Sequence, residues 1–170
     1  LMEERLLTEF KQHSTFRLKE GQRMVHLAMK KVPEEQLWIA PNQIGMRLGN
    51  QLLHICGNMT QYIISSLGEQ KDNRQRNDEF AAKEGWTKAM LLDLLDTTIA
   101  KAIRTIQNAP SNSFVKIRQV QGFEFSGLGV VLHAVEHFSY HVGQIAFWVK
   151  QLCEEDLGFY RDHNLNQLNK

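Results

Sequence analysis

Residues 137–144 read HFSYHVGQ and place two histidines four residues apart inside a strongly apolar run. On an α-helix, side chains with this spacing lie on the same face. A third histidine, His54, lies in a second apolar run that reads LLHICGN over residues 52–58. Three neutral imidazoles from two facing helices can hold one divalent metal ion and leave a coordination position open. The pattern therefore predicts a helical protein with a metal site between two helices.

Apolar residues recur with helical spacing in four long segments of the chain. Asparagine and serine are good helix N-caps, and proline ends a helical pattern. The predicted elements are a first helix that ends before Pro33, a connector over residues 33–41, a second helix capped by Asn42 and running to about Leu67, a third helix from Trp86 to Asn108, and a fourth helix capped by Ser126 and running to about Cys153.

The segments between these helices are polar or short. Residues 68–85 are rich in charge and predict a long loop that crosses the outside of a bundle, whereas residues 115–125 alternate with period two and predict a short hairpin-like excursion. The tail from Leu157 is polar, and we expect it to be loosely ordered. The pattern predicts an all-α fold, a four-helix bundle with long crossover connections.

Composition narrows the classes of protein that fit. A chain of 170 residues is most simply one domain over residues 1–170, and a formal net charge of +1 gives no reason to expect nucleic acid or an anionic membrane as partner. No apolar run is long enough to span a bilayer, and residues 1–5 do not resemble a signal peptide. Cys56 and Cys153 form no Cys-x-x-Cys pair, so we expect a reducing, cytoplasmic location.

The fourth predicted helix carries three histidines at four-residue steps, His133, His137 and His141. His133 and His141 would lie about 12 Å apart along the helix axis, so both cannot bind one ion. The ligand pair is therefore His133 with His137 or His137 with His141. Gly143 and Gly57 would remove bulk beside the second pair and His54, which favours that pair. Cys56 points to the opposite side of its helix from His54 and is expected to be a packed residue.

Several kinds of catalytic site are excluded by missing motifs. A metallopeptidase helix would read His-Glu-x-x-His, but Phe138 follows His137 here. Di-iron bundles need Glu-x-x-His pairs, and the chain has none. Gly-rich phosphate loops and Gly-x-Ser-x-Gly elbows are also missing. Any chemistry must therefore come from the metal and from what binds to it.

The two histidine-bearing stretches resemble those of the DinB-like superfamily of metal-binding four-helix bundles, also called YfiT-like or damage-inducible. The match consists of His-x-x-Gly-Asn over residues 54–58 and His-x-x-x-His-x-Gly-Gln over residues 137–144. The resemblance implies a metal triad of His54, His137 and His141, with nickel or zinc as the ion. Members often carry arginine after the last histidine, where this chain has Val142. The pocket candidates beside the triad are Asn58, Tyr140 and Gln144.

The resemblance also implies a function. Better understood relatives carry out transfer or isomerisation reactions with low-molecular-weight thiols such as bacillithiol or mycothiol. The leading hypothesis is therefore a bacterial, metal-dependent thiol S-transferase, or a related transfer or hydrolysis enzyme, that acts on a small molecule as a homodimer. The second hypothesis is a non-catalytic, metal-binding stress-response bundle that binds a ligand as a dimer. The third is a bundle whose histidines bind nothing.

Overall fold

The computed structural model describes residues 1–169 and is mainly helical. No helix in this range is both long enough and apolar enough to cross a membrane. The elements in chain order are α1 (Met2–Met29), a short 3-10 turn (Glu34–Gln36), α2 (Leu48–Met59) followed directly by a π-helical segment (Thr60–Leu67), α3 (Arg76–Ala81), α4 (Lys88–Asn108), α5 (Ser111–Val115), β1 (Ile117–Val120), β2 (Phe123–Ser126) and α6 (Gly127–Cys153).

The four long helices form a closed bundle around one apolar core. Helix α1 packs on α4 and α6, and α2 packs on the same two helices from the other side. The connections over residues 30–47 and 109–126 therefore each cross the bundle diagonally, from α1 to α2 and from α4 to α6. The predicted all-α four-helix bundle with long crossovers is confirmed.

Close packing between helices depends on small residues at the crossing points. A Cβ atom on Gly21 of α1 would lie 2.6 Å from the Phe138 ring of α6, and one on Gly49 of α2 would lie 2.5 Å from Trp38. Glycine at these positions lets a large aromatic ring pack directly on helix backbone. Phe138 is thereby buried in the core between α6 and α1.

The start of the second helix was predicted wrongly. Asn42 does not cap it; its Oδ1 accepts hydrogen bonds from the backbone N–H groups of Ile44 and Gly45, and α2 begins only at Leu48. An asparagine side chain forms the same local bonds in a turn as at a helix N-terminus, so the sequence signal is the same in both cases. The helix starts where Leu48 and the residues after it enter the core.

The polar segment over residues 68–85 is also more structured than predicted. It contains the six-residue helix α3, and the carboxylate of Glu79 is buried against α2. Asn50 of α2 holds the C-terminal end of α3, because its Nδ2 donates to the carbonyl oxygens of Glu79 at 2.9 Å and Ala82 at 2.7 Å. The segment therefore packs on the bundle as part of its polar interior and is not only an outer loop.

The hairpin and the start of the last helix agree with the predictions. Strands β1 and β2 pair antiparallel with Ile117 opposite Ser126, and the turn between them places Gln121 and Gly122 at positive φ angles of 53° and 82°. Gly129 N–H donates to Ser126 Oγ at 3.1 Å, so Ser126 is the N-cap of α6. Beyond α6, Leu157 is buried, whereas residues 160–169 are exposed.

Removal of the Ser126 cap tests this assignment. We expect Ser126→Ala to lower the free energy of unfolding by about 1 kcal/mol, because the N–H of Gly129 loses its acceptor. Ser126→Gly is the matched control and should cost only a few tenths of that amount. Urea unfolding followed by circular dichroism measures both, and equal stability of Ser126→Ala and wild type would contradict the capping role.

Candidate metal centre

The antiparallel packing of α2 and α6 brings the candidate residues together in pairs. His54 Nε2 lies 3.0 Å from His137 Nε2, and one helical turn away His141 Nδ1 lies 3.2 Å from Gln51 Oε1. In the other direction along the same face, Asn58 Nδ2 lies 3.4 Å from His133 Nε2. Residues 51, 54 and 58 share one face of α2, and residues 133, 137 and 141 share the facing side of α6. The two helices thus present matched rows of polar side chains.

His54, His137 and His141 form a compact cluster at the centre of these rows. One candidate ligand atom from each histidine lies within 4.8 Å of the others. Nitrogen ligands of one ion, each at about 2.0–2.1 Å from it, lie roughly 3 Å apart. The 3.0 Å separation of the Nε2 atoms of His54 and His137 therefore fits a shared ion, and a small ring movement would bring His141 to the same spacing. The three residues fit the metal that the sequence predicts.

The cluster is buried on one side and open on the other. His54 is 6% exposed and His141 is 4% exposed, whereas His137 is only half-buried. Aromatic rings flank the cluster: the Phe80 ring lies 4.8 Å from that of His54, and the Tyr140 ring packs edge-on 5.2 Å from that of His141. A ligand of an ion held there would therefore arrive from the side of His137, between aromatic side chains.

The back of His54 contacts a buried ion pair. His54 Nδ1 lies 2.9 Å from Glu79 Oε2, and the guanidinium of Arg74 donates to both carboxylate oxygens of Glu79, Nε to Oε1 at 2.7 Å and Nη2 to Oε2 at 2.8 Å. Arg74 also donates from Nη1 to Gln61 Oε1 at 2.9 Å. Each charged group in this cluster has an oppositely charged or hydrogen-bonded partner, which buried charges require.

A glycine makes room for this ion pair. A Cβ atom on Gly57 would lie 1.9 Å from Glu79 Oε1 and 2.6 Å from its Cδ. The sequence prediction that Gly57 allows a close approach is confirmed, and the approaching group is Glu79. The same prediction for Gly143 is wrong, because no atom of residues 1–169 lies within 4 Å of the position where its Cβ would be. Gly143 faces outward from α6.

Burial and neighbouring charge keep two of the clustered histidines, His137 and His141, neutral. Burial lowers the pKa of His137 to about 3, with further lowering from the charges that His141 and His54 would carry, and burial lowers the pKa of His141 to about 4. For Glu79, burial alone would raise the pKa, but hydrogen bonds and charge from Arg74 and His54 hold it below its usual value. Near pH 7, His137 and His141 are therefore neutral, and neutral imidazole is the form that binds metals. The carboxylate of Glu79 is ionised at the same pH.

The remaining sequence-predicted residues lie around the cluster. His133 is outside it: its ring stacks on Tyr62 at 4.0 Å, and burial lowers its pKa. Asn58 contacts His133, and Asn58 Oδ1 is buried without a hydrogen-bond partner in the described part of the chain. Tyr140 is exposed, with its ring beside that of His141, and Gln144 is half-buried one turn further along α6. Of the two ligand pairs left open by the sequence, the structure brings the His137 and His141 pair together with His54.

Three contacts of the site were missed at the level of sequence: Glu79, Arg74 and Gln51. Glu79 and Arg74 lie in a charged segment that is typical of a solvated loop, and the sequence does not indicate which of its charged side chains are buried or which partners they have. Gln51 is three residues before His54, so helical periodicity places it on the same face and could have found it. For Glu79 the only signal is Gly57, which indicates a close approach but not its partner.

Cys56 is packed and unreactive, as the sequence predicts. Its thiol is buried on the side of α2 facing α4, where it bonds to Thr98, and burial is the main cause that raises its pKa to about 12. A thiol with so high a pKa is almost entirely protonated at neutral pH and is a poor nucleophile and metal ligand. Cys153 is the other free cysteine and lies at the end of α6.

Residues 6–160 match the family model described as "Protein of unknown function (DUF1572)". The chain belongs to this DinB-like family. The predicted DinB-like resemblance is thereby confirmed. A search of curated protein sequences found no significant match.

Solved structures of similar fold include DinB-like proteins. One from Bacillus subtilis has 16% identity and a TM-score of 0.63, covering 82% of this chain and 91% of its own. One from Bacillus cereus ATCC 10987 has 16% identity and a TM-score of 0.64, covering 87% and 93%. A conserved protein from Enterococcus faecalis has 11% identity and a TM-score of 0.73, covering 85% and 97%. At these identities the likeness establishes the DinB-like fold alone.

Proposed function

We propose that this DinB-like protein is a divalent-metal-dependent enzyme that transfers a low-molecular-weight thiol to a small electrophilic molecule, or carries out a closely related transfer or hydrolysis reaction. His54, His137 and His141 would hold the ion, with zinc or nickel the best match to three imidazole donors. The observation that carries the proposal is the charge of the cluster, in which three nitrogen donors that bring no negative charge lie beside one open side.

The charge balance favours an anionic ligand at the open side. The three histidines contribute no negative charge, and the charge of Glu79 is compensated by the guanidinium of Arg74. An ion held by the cluster would therefore keep most of its positive charge, within partly buried surroundings where charge is weakly screened. A thiolate matches this need in charge and in affinity for zinc or nickel.

The protein offers no thiol of its own at the site. Cys56 faces away from the histidines with a pKa raised to about 12, mainly by burial. A thiol-based reaction must therefore use a soluble thiol as co-substrate, for which bacillithiol and mycothiol are the candidates in bacteria. The bound ion would favour the thiolate form of that thiol and keep it beside the electrophile.

The residues around the cluster would then bind and orient the reactants. The rings of Tyr140 and Phe80 flank His141 and His54, and we propose that they hold a small organic molecule and exclude water from it. Asn58 has a free buried carbonyl oxygen on the row of side chains that leads to the cluster. We propose Asn58, Tyr140 and Gln144 as pocket residues on this basis.

Thiol consumption tests the proposal. Protein stripped with a chelator and reloaded with zinc or nickel is mixed with cysteine or bacillithiol and chlorodinitrobenzene, and conjugate formation is followed by absorbance. We expect conjugation that depends on the metal and saturates with thiol. Absence of a rate above the protein-free background with each thiol and metal would contradict the enzyme and leave a metal-binding protein.

One observation favours the alternative, a non-catalytic metal-binding bundle that responds to stress. Among residues 1–169, the carboxylate that contacts the histidine cluster is that of Glu79, and its oxygens are engaged by Arg74 and His54. It is therefore not free to act as a general base. In this case the protein would bind the metal and the thiol without joining the thiol to the electrophile. Addition of thiol to the nickel-loaded protein would then change the nickel absorption spectrum, and no conjugate would form.

We propose a homodimer as the working form. The outer face of α6 exposes Leu132 and Phe147, two large apolar side chains that a second copy could cover. Light scattering should give about twice the chain mass, and Leu132→Glu should shift the protein toward the monomer. A monomer at all concentrations would contradict this part of the proposal.

A further inference from the structure

The connector between the π-helical segment and α4 buries an ion pair directly behind a metal-ligand candidate. The side chain of Arg74 is 3% exposed and that of Glu79 is 10% exposed, although both come from a polar stretch of sequence. Burying two charges is costly, and hydrophobic residues of the same volume would stabilise the fold at least as well. Stability alone therefore gives no reason for an ion pair at this place.

In the hydrogen bond between Glu79 and His54, the donor and the acceptor can be assigned. A carboxylate can only accept hydrogen bonds, so the 2.9 Å contact between Glu79 Oε2 and His54 Nδ1 places a hydrogen on Nδ1. Arg74 Nη2 has two hydrogens: one donates to Glu79 Oε2 at 2.8 Å, and Nη2 also lies 3.2 Å from the same nitrogen, a longer contact than that of the carboxylate. A neutral imidazole protonated on Nδ1 carries its lone pair on Nε2, and in His54 this is the atom that faces His137.

Three neighbouring residues fix the position of Glu79. Arg74 holds both oxygens, Asn50 holds the backbone carbonyl at 2.9 Å, and Gly57 leaves the space that the carboxylate occupies. The next residue, Phe80, places its ring 4.8 Å from that of His54. The rotation of the imidazole is thus limited by Glu79 at one edge and by Phe80 beside it.

We infer that Glu79, clamped by Arg74 in the space left by Gly57, is a positioning residue that fixes the tautomer and orientation of the metal ligand His54. The inference rests on the metal site proposed above. It makes the connector over residues 71–82 part of the site, although none of its residues is itself a ligand. Carboxylates behind metal-binding histidines typically contribute a factor of roughly 10–100 to metal affinity.

Metal binding and the order of this connector are then coupled. If Glu79 strengthens the metal site through His54, the bound metal must strengthen the hold of His54 on Glu79 by the same factor. We expect amide hydrogens in residues 76–82 to exchange more slowly when zinc is added to the whole protein. This protection should be lost in a variant without the ion pair.

The test replaces the pair without leaving a buried charge. In the double variant Arg74→Met with Glu79→Leu, apolar side chains fill the space, so the protein should fold with a melting temperature near that of wild type. We expect the dissociation constant for zinc, measured by competition with a chromophoric chelator, to rise roughly 10–100-fold. The single variant Glu79→Gln keeps an acceptor for His54 and should lose less affinity. Wild-type affinity in the folded double variant would overturn the inference.

A second readout separates this inference from the metal proposal. Nitrogen NMR of the apoprotein reports which ring nitrogen of His54 carries the hydrogen. We expect the Nδ1–H form in wild type and a mixture of tautomers in the double variant. A mixture in wild type overturns the positioning role. Failure of wild type to bind zinc contradicts the metal proposal but leaves this NMR result decisive for Glu79.

Two glycine substitutions form a matched pair for the same inference. Both Gly57→Ala and Gly143→Ala put alanine in a helix interior, which by itself favours the helix by up to about 1 kcal/mol. At Gly57 the new Cβ would meet Glu79 Oε1 at 1.9 Å and push the carboxylate away from His54, whereas at Gly143 it meets nothing within 4 Å. We expect zinc affinity to fall about tenfold in Gly57→Ala and to stay unchanged in Gly143→Ala. Equal affinities in the two variants would contradict the role of Glu79.

Discussion

We expect alanine at either His54 or His137 to abolish stoichiometric binding of zinc or nickel, and wild type to bind close to one ion per chain. This expected result follows from the cluster, in which each of three histidines supplies one ligand and no other donor stands ready to replace it within residues 1–169. The loss of a ligand should exceed the roughly 100-fold effect that outer contacts can have on metal affinity. Elemental mass spectrometry of protein purified without a histidine tag measures the metal content.

Metal binding should also raise the melting temperature of the folded protein. An ion present at a thousand times its dissociation constant stabilises the folded protein by about 4 kcal/mol, which for a chain of this size corresponds to roughly 8–16 °C in melting temperature. We therefore expect a large fall in melting temperature when wild type is treated with EDTA and almost none in His54→Ala. His137→Ala should behave in the same way.

His133→Ala is the matched control for these variants. His133 is on the same face of α6 as His137 but bonds to Asn58 outside the cluster. Metal content should therefore be kept in this variant, and any loss of stability should be independent of EDTA. Equal loss of metal in His133→Ala and His137→Ala would show that the ligand pair was assigned incorrectly, and metal-free wild type would contradict the site itself.

Acidification of the apoprotein is expected to have the second large effect. The pKa values of His137 and His141 are lowered, chiefly by burial, to about 3 and about 4. Unfolded histidine has a pKa of about 6.5, so between pH 6.5 and 4 the unfolded chain binds more protons than the folded one. Above this window both states are neutral and the two histidines carry no penalty, whereas the folded state becomes progressively less stable as the pH falls through it.

The magnitude follows from the width of the pKa difference. At pH 5 each fully buried histidine would cost about 2 kcal/mol relative to pH 7, and partial exposure of His137 reduces the sum for the pair to about 3 kcal/mol. Urea unfolding in EDTA at pH 7, 6 and 5 measures the change. The decrease should be smaller in His137→Gln, and unchanged in the control His13→Gln, since His13 is exposed on α1. A flat stability between pH 7 and 5 would contradict neutral buried histidines.

Local signals were sufficient for most of the fold. The helical spacing of apolar residues predicted all four long helices, and the Ser126 cap was correct because a serine before an apolar run has few alternative local structures there. The alternating pattern around Gly122 predicted the hairpin, whose turn needs the positive φ angle that glycine adopts easily. Asn42 was misassigned because its bonds serve a turn as well as a cap.

The sequence by itself determined the helical class and the candidate ligands, because the spacing of His137 and His141 in an apolar run leaves few structures other than one helix face. Only the tertiary structure decided which histidines meet. The antiparallel alignment of α2 and α6 places His54 opposite His137 rather than His133. The tertiary structure also decided that Glu79 contacts His54. A charged side chain in a polar connector has many favourable positions in solvent, and Glu79 is buried here because Arg74, His54 and the space beside Gly57 meet at one place.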